Sequence, residues 1–344
     1  MKGAILGDIV GSRFEFNNIH SKDFRFLTEN CCFTDDTVMT CAVAQAILDC
    51  DGDYSNLSEK TVSAMQRIGR CYPNAGYGRK FIEWMFSDDP QPYNSCGNGS
   101  AMRISPVGFA AESIEQAKEM SAAVTRVSHN HPEGMRGAEA TAVAIVLARQ
   151  GKNKDEIRQY IEENYGYDFS TSVAEYRAQS FGHGKEICQV SVPQAFVCFF
   201  EGKDYIDVIR NCISIGGDSD TIAAIAGGIA EAYYGVPVEG NFHQAIPNSG
   251  YCRLLDERLL NIIREFTAKF PGKEIDYNSF DSGRSFEEYT NDVKTCLTTF
   301  VYEVSEAAAD EEIRRGLEIG ELRDYYEDKE EPIGAAALIG YCCG

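Results

Sequence analysis

Apolar residues recur at helical spacing along most of this chain, and this periodicity constrains the fold more than any other feature. Over residues 38–48 and again over 222–233, small and apolar side chains fall three and four positions apart, which places them on one helical face. Residues 137–149 are rich in Ala, Val and Ile and carry almost no charge, which predicts a helix buried on all sides. Residues 206–213 and 254–266 are further amphipathic segments. Strictly alternating segments are few, so the sequence predicts an all-α fold, an orthogonal helical bundle.

The charge balance and the cysteines restrict the kind of protein and its partners. The 344 residues include 32 Lys and Arg against 53 Asp and Glu, a net charge of -21. Such a surface repels phosphate backbones and anionic lipids, so we expect neither a nucleic-acid nor a membrane partner. No apolar run approaches the roughly 20 residues of a membrane span, and no signal-peptide pattern opens the chain. Thirteen cysteines without a C-x-x-C pair are typical of reduced thiols, which predicts a cytoplasmic protein.

The composition changes near residues 271–272. Beyond them the chain becomes acidic and helix-prone, and residues 303–331 hold 12 acidic against 4 basic side chains, a net charge of -8. We expect two charged helices over residues 286–326. The sequence thus predicts a main domain of residues 1–272 and an acidic helical C-terminal extension of residues 273–344. A solvated acidic face without a specific role is the simpler interpretation of this extension.

Two predicted helices begin with more acid than capping requires. Asp35 and Asp36 precede the helix from residue 38, and Asp218 and Asp220 precede the helix from residue 222. A single side chain caps a helix, so ordinary N-caps explain only part of each set. If the two starts meet, four aspartates crowd one cavity, and a divalent cation would relieve their repulsion. Mg²⁺ and Mn²⁺ prefer carboxylate and hydroxyl oxygens, so the duplication favours a binuclear site.

Three further segments carry candidate functional residues. Gly3, Gly7 and Gly11 lie on one helical face, where another helix can approach closely, and Glu15 follows that face. Their spacing is not that of a dinucleotide-binding loop. The segment from Gly97 to Ser100 is either a common turn or a loop whose amides face an anion. His129 and His131 stand before a proline without a third nitrogen or sulfur ligand nearby, which disfavours zinc and favours a substrate-facing or capping histidine.

Four motifs in this order resemble the ADP-ribosylglycohydrolases: GAILGDIVGSRFE, FTDDTVMT, GNGSAMR and GGDSDTIAAIAGGIA. The resemblance covers about residues 1–270. It implies the all-α fold of that family for a catalytic domain of residues 1–272, with two Mg²⁺ or Mn²⁺ ions in a central cleft. The extension of residues 273–344 has no counterpart in the compact family core.

The resemblance also implies roles for single residues. The implied metal ligands are Thr34, Asp35, Asp36, Asp218, Asp220 and Thr221. The implied catalytic carboxylates are Glu15, Asp35 and Asp36, and Glu15 is also similar to a glutamate that ligates one metal or moves as a gate. The implied substrate-binding residues are Gly97, Asn98, Gly99 and Ser100, which hold the diphosphate and distal ribose, and His131, near a phosphate.

The predicted function is therefore metal-dependent hydrolysis of the C1″ bond of ADP-ribose in a modified protein or an O-acyl-ADP-ribose, by a monomer or small homo-oligomer. This bond breaks through an oxocarbenium-like state that a carboxylate can assist as general acid or base. Two alternatives stay open. One is metal-dependent phosphohydrolysis, although none of the five histidines is followed by the aspartate of a His-Asp dyad. The other is a non-catalytic ADP-ribose-binding or structural relative.

Overall fold

The computed structural model describes residues 1–179, 186–237, 255–275, 286–301 and 306–318, and the single residues Leu322, Tyr325, Tyr326, Pro332, Ala335 and Ala336. The α-helices are α1 (Lys2–Gly11), α2 (Asp35–Asp49), α3 (Leu57–Gly69), α4 (Arg79–Phe86), α5 (Gly99–Met102), α6 (Ser105–Ala110), α7 (Ile114–Thr125), α8 (Pro132–Arg149), α9 (Lys154–Tyr165), α10 (Val173–Gln179), α11 (Cys188–Glu201), α12 (Tyr205–Ser214), α13 (Ser219–Tyr233), α14 (Glu257–Lys269), α15 (Phe286–Thr295) and α16 (Glu306–Glu318). The other elements of these residues are a 3₁₀ turn (Tyr54–Asn56), a π-helical segment (Cys296–Val301) and two strands, β1 (Val236–Pro237) and β2 (Glu274–Ile275).

The prediction of an all-α fold is confirmed, and four of the five periodic segments lie in helices, while the fifth, residues 254–266, overlaps α14 from Glu257 onward. Residues 38–48 belong to α2, 137–149 to α8, 206–213 to α12 and 222–233 to α13. The uncharged part of α8 is buried nearly throughout, because α8 packs against α6, α7, α11 and α13. The core therefore forms around α8 and α13. The polar residues at the N-termini of the helices are available to form a site.

Helices α1 and α13 pack in close contact because glycines line the face of α1. A side chain added at Gly7 would bring its Cβ closer than 3.0 Å to the backbone of Ala223, and one added at Gly11 would meet the backbone of Asp220 in the same way. The predicted close approach of a second helix to this face is thus observed. It brings the end of α1, and the turn that follows it, to the first residues of α13.

The described residues form two compact units. The first contains the described residues of 1–20, 31–236 and 255–273, and the second contains those of 21–30, 274–275, 286–301 and 306–344, with Pro237. In the second unit α15 and α16 are the two charged helices expected within residues 286–326, and Lys294 Nζ lies 2.5 Å from Asp310 Oδ1. The domain boundary at residues 272 and 273 stays a prediction.

Within the described ranges, no helix combines the length and the apolar composition needed to cross a lipid bilayer. The cytoplasmic location and the oligomeric state stay predictions.

Candidate active site

The N-termini of α2 and α13 open into one cavity of about 350 Å³ in the first unit. Its lining includes Asp35 and Asp36 from α2, and Asp218, Asp220 and Thr221 from the start of α13, so the two acidic helix starts of the sequence do meet. Both helices direct the positive ends of their dipoles at this cavity, which favours negative charge there. The cavity therefore collects anionic side chains and could hold them around a cation.

Five carboxylates form two overlapping groups of three. One oxygen each from Asp8, Asp36 and Asp220 lies within 4.8 Å of the other two, and the same holds for Glu15, Asp218 and Asp220. Asp220 belongs to both groups. Carboxylates at such distances are the donor set that Mg²⁺ and Mn²⁺ prefer. The shared aspartate places two candidate cation sites side by side.

An unpaired oxygen of Asp36 tests whether a cation fits these groups. Asp36 is only 2 % exposed, and its Oδ2 accepts a hydrogen bond from Thr221 Oγ1 at 3.1 Å. Its Oδ1 is buried without a hydrogen-bond partner among the described residues. A buried carboxylate oxygen without a partner is costly, and native proteins rarely leave one. The residues present therefore fit a divalent cation.

Asp8 is a site residue that the sequence analysis did not single out. It is fully buried, and it accepts hydrogen bonds from the amide and the hydroxyl of Thr34, at 3.0 and 2.7 Å, and from both groups of Thr37. These bonds tie α1 to the start of α2. A charged residue inside the otherwise apolar α1 was the available signal. Burial raises the pKa of Asp8, and the hydrogen bonds from Thr37 and Thr34 oppose that rise.

Burial and mutual repulsion disfavour full ionisation of the cluster. The pKa values of Asp35, Asp36 and Asp220 are raised well above the usual range, chiefly by burial and then by the neighbouring carboxylates. Burial also raises the pKa of Glu15 to about 7, with Asp218 as the next largest cause. A bound cation would act in the opposite direction, because its positive charge lowers the pKa values of the carboxyl groups around it.

The N-cap interpretation holds for one helix start and fails for the other. Thr34 caps α2, because its Oγ1 accepts a hydrogen bond from the Asp36 amide at 3.3 Å. Asp218 occupies the N-cap position of α13, yet its side chain makes no capping hydrogen bond. Its Oδ2 instead accepts a hydrogen bond from Asn98 Nδ2 at 2.5 Å. Asp218 is therefore held towards the cavity and is not used as a cap.

A glycine turn and one asparagine position this carboxylate beside Glu15. Gly216 and Gly217 have φ values of 73° and 78°, a left-handed conformation that costs other residues energy. Asn18 clamps the turn, because its Nδ2 donates to Gly217 O at 2.9 Å and its Oδ1 accepts from Gly217 N at 2.9 Å. Asn18 Nδ2 also lies 3.1 Å from the carbonyl oxygen of Glu15. The clamp thus connects the two ends of the second carboxylate group.

The loop from residue 97 to residue 100 forms another wall of the cavity. Gly97, Asn98 and Gly99 line it, and the Asn98 amide donates to Glu186 O at 3.1 Å. Ser100, which the sequence analysis also assigned to substrate binding, does not line the cavity. It is fully buried, and its hydroxyl donates to Gly134 O at 2.9 Å.

The histidine that lines the cavity is His129, whereas the sequence analysis selected His131. His131 is the N-cap of α8, and its Nδ1 accepts a hydrogen bond from the Glu133 amide at 3.1 Å. Of the two interpretations offered for these histidines, the structure places His131 in the capping one. The cavity wall also includes Arg103, which is 1 % exposed. The sequence showed this arginine only as the last letter of the GNGSAMR motif.

Comparison with known proteins identifies the family. The family model described as ADP-ribosylglycohydrolase matches residues 1–274, which include every candidate site residue. This chain belongs to the ADP-ribosylglycohydrolase family. The family match ends at residue 274, before the first acidic helix of the second unit begins at Phe286.

Relatives within and beyond animals share this sequence pattern. The bovine protein named ADP-ribosylhydrolase ARH3 is 26% identical over 315 residues, covering 69% of this chain and 84% of its own length. The ADP-ribosylarginine hydrolase Tri1 of Pseudomonas putida is 27% identical, covering 68% of this chain and 70% of its own. A solved structure titled "ADP-ribosylglycohydrolase-related protein complex" matches with a TM-score of 0.54 and 22% identity, over 77% of this chain and 96% of that one. At this identity the structural match shows the fold alone.

Proposed function

We propose that this protein is an ADP-ribosyl glycohydrolase that uses two Mg²⁺ or Mn²⁺ ions to cleave the C1″ bond of ADP-ribose conjugates. Its substrate would be an ADP-ribosylated protein side chain or an O-acyl-ADP-ribose. The observation that carries the proposal is the buried, unpartnered Oδ1 of Asp36 between two carboxylate groups that share Asp220. Family membership and the names of the hydrolases ARH3 and Tri1 support it.

The chain would hold the cations through the two carboxylate groups. Asp8, Asp36 and Asp220 would form one site, and Glu15, Asp218 and Asp220 the other, with the Thr34 and Thr221 hydroxyls hydrogen-bonded to these carboxylates. Bound divalent cations would supply Lewis-acid polarisation of ribose hydroxyls and water. The carboxylates gain their full charge only with such counterions, so cation binding and ionisation are coupled.

The remaining chemistry belongs to a carboxyl group that transfers a proton. Glu15 is half-buried at the cavity and is one candidate where it does not ligate the second cation, and its pKa of about 7 is that of the cation-free cluster. Asp35 is the second candidate, because it lines the cavity outside both carboxylate groups, with its Oδ1 beside Gly76. Either would assist an oxocarbenium-like transition state.

Substrate positioning would come from the opposite wall. The amide of Gly99 lies where glycine leaves the backbone accessible, and it would help to hold the diphosphate so that C1″ reaches the carboxylates, whereas the Gly97 amide already donates to Ser95 Oγ at 3.1 Å. Lys80 and Arg79 also line the cavity and would attract a dianionic ligand into a chain of net charge -21.

A panel of linkages tests the proposal. Arginine-linked and serine-linked ADP-ribosyl peptides and O-acetyl-ADP-ribose are incubated with Mg²⁺, with Mn²⁺ or with EDTA, and released ADP-ribose is measured by mass spectrometry. We expect at least one conjugate to release ADP-ribose only when a cation is present. Tight binding of ADP-ribose without release from any conjugate would instead support a non-catalytic relative. Release of phosphate or of a nucleotide monophosphate would support the phosphohydrolase alternative.

A further inference from the structure

Arg103 is a buried cation at the cavity wall without an ion-pair partner among the described residues. It is 1 % exposed, and its Nη2 donates to Ser128 Oγ at 2.8 Å, while its Nε has no hydrogen-bond partner. The ring of Phe81 also faces this guanidinium, with its centroid 5.7 Å from the guanidinium carbon. Burying a charge against a neutral hydroxyl is costly for stability, so this contact calls for another explanation.

The hydroxyl of Ser128 passes this interaction on to His129. Ser128 is fully buried, and its Oγ lies 2.8 Å from His129 Nδ1. The Ser128 hydroxyl has one proton to donate. Arg103 cannot accept it, because a guanidinium only donates hydrogen bonds. The Ser128 proton therefore points at His129 Nδ1, its one available acceptor among the described residues. If Nδ1 carried a proton instead, Ser128 Oγ would have to accept from both Arg103 and His129, and its own buried proton would be left without an acceptor among the described residues.

The surroundings of His129 keep its imidazole neutral. The side chain is 5 % exposed, and the charged group facing it is Arg103, while Tyr93 packs against its ring at a centroid distance of 5.7 Å. Burial, followed by the charge of Arg103, places the pKa of His129 well below its usual range. A neutral imidazole that accepts at Nδ1 must carry its proton on Nε2.

The proton on Nε2 faces the loop that lines the cavity. Nε2 lies 3.2 Å from the point where a Cβ on Gly99 would sit, and 3.5 Å from the same point on Gly97. No described residue accepts a hydrogen bond from it, and His129 lines the cavity. A ligand oxygen held against this loop would lie within reach of the Nε2 proton.

We propose that Arg103 and Ser128 are positioning residues that fix His129 as a neutral imidazole protonated on Nε2, a hydrogen-bond donor that faces the cavity. A phosphate oxygen as its acceptor is what the family resemblance implies for a histidine in this segment and rests on the proposed function, whereas the order Arg103, Ser128, His129 rests on the structure alone. The arrangement gives the cavity a fixed neutral donor beside the buried charge of Arg103.

Nitrogen NMR of protein labelled with ¹⁵N in its histidines tests the chain of hydrogen bonds directly. His129 is assigned among the five histidines by the signals that disappear in His129→Gln. We expect an unprotonated Nδ1 and a protonated Nε2 from pH 6 to pH 8. A proton on Nδ1, or a cationic ring within this range, would overturn the proposal. The spectrum needs neither a conjugate nor a divalent cation, so its outcome is separate from that of the hydrolysis assay.

A matched pair of variants distinguishes positioning from a merely structural role. In Arg103→Met, Ser128 is free to accept from Nδ1, so we expect His129 to titrate at higher pH and to lose its single tautomer. In Arg79→Met, which removes an exposed arginine of the same cavity, we expect the wild-type signals. Identical His129 signals in both variants would contradict the positioning role. Should Arg103→Met fail to fold, Ser128→Ala with Ser128→Thr as the hydroxyl-retaining control replaces it, and the wild-type spectrum still decides the tautomer.

The acceptor is tested by binding of ADP-ribose, measured by calorimetry in Mg²⁺. We expect His129→Ala to raise the dissociation constant about tenfold, the usual effect of removing a hydrogen bond to a charged group. An unchanged dissociation constant, with the wild-type tautomer confirmed by NMR, would remove the phosphate from the proposal and leave the hydrogen-bond chain in place.

Discussion

The first turns of α9, α2 and α13 all carry acidic residues, but the surroundings of these residues differ. At α9, Asn153 and Glu156 form a capping box, and Glu156 also pairs with Lys152 at 2.7 Å. The hydrogen bond from Lys152 is the largest of the causes that lower the pKa of Glu156. In the cavity, burial raises the pKa values of Asp36 and Asp220. The surroundings at α9 thus stabilise the ionised form of the acidic side chain, whereas those in the cavity destabilise it.

The difference shows which carboxylates secondary structure explains. Thr34 already caps α2, and Asp218 leaves the cap of α13 unmade, so neither helix needs its aspartates in order to start. Buried like charges destabilise a fold unless something compensates for them. Helix α9 shows that this sequence can place acids where they stabilise a helix. The cluster in the cavity is therefore best explained by a ligand of opposite charge.

The largest expected effect is on turnover, when one aspartate is replaced by asparagine in the first turn of α2 and, as a control, in the first turn of α9. Asp36 and Asp155 are both the second residue of their helices, but only Asp36 belongs to a carboxylate group. We expect Asp36→Asn to lower the turnover of the preferred conjugate by about 10²–10⁴-fold, since it removes a cation ligand and a candidate catalytic group. Asp155→Asn should leave turnover unchanged. Equal turnover in wild type and Asp36→Asn would break the distinction between the two regions.

The next effect is the pH dependence of cation binding. Because the pKa values of Asp35, Asp36 and Asp220 are raised, a cation must displace protons from the cluster at pH 6. We expect affinity for Mn²⁺ to increase with pH, about tenfold per pH unit for each proton released. Calorimetry in buffers of different ionisation enthalpy measures that release. Binding without proton release at pH 6 would show that the acids are already ionised.

Helical periodicity was sufficient to predict the fold, and it placed the starts of α2 and α13 within about three residues of where they lie. Gly3, Gly7 and Gly11 predicted the close approach of another helix, but the meeting of the two acidic starts was only a condition of the metal hypothesis until the structure showed it. These features are local in sequence, and for that reason a single chain reveals them. The candidate cation ligands followed from the same positions.

The remaining site residues depend on tertiary contacts that no local pattern encodes. Asp8 looks like one acid in an apolar helix until α2 supplies the hydroxyls that hold it. His129 and His131 are two positions apart, and only the start of α8 shows that one caps a helix while the other faces the cavity. The sequence predicted a substrate-facing or capping histidine in this segment. It did not distinguish which of the two rings caps a helix and which faces the cavity.

The smallest expected effect is on thermal stability, which Asp36→Asn should raise and a capping variant at α9 should lower when no cation is present. In EDTA, the folded protein holds protons on Asp36 at pH values above 3.8, its ordinary pKa, while the unfolded chain has released them. Stability therefore falls as the pH rises, and it is greatest on the acid side of this range. We expect Asp36→Asn to raise the melting temperature in EDTA at pH 8, with a smaller gain at pH 5, because the repulsion is removed.

The capping box at α9 provides the opposite case under the same conditions. Asn153→Ala should lower stability by about 1 kcal/mol, whether or not a cation is present, since it removes only a helix cap. Thermal unfolding of both variants in EDTA and in Mn²⁺ measures the contrast. Addition of Mn²⁺ should reverse the sign for Asp36→Asn and leave it unchanged for Asn153→Ala. If Asp36→Asn lowers stability in EDTA as well, its carboxylate stabilises the fold by itself, and the cluster would no longer need a cation to account for it.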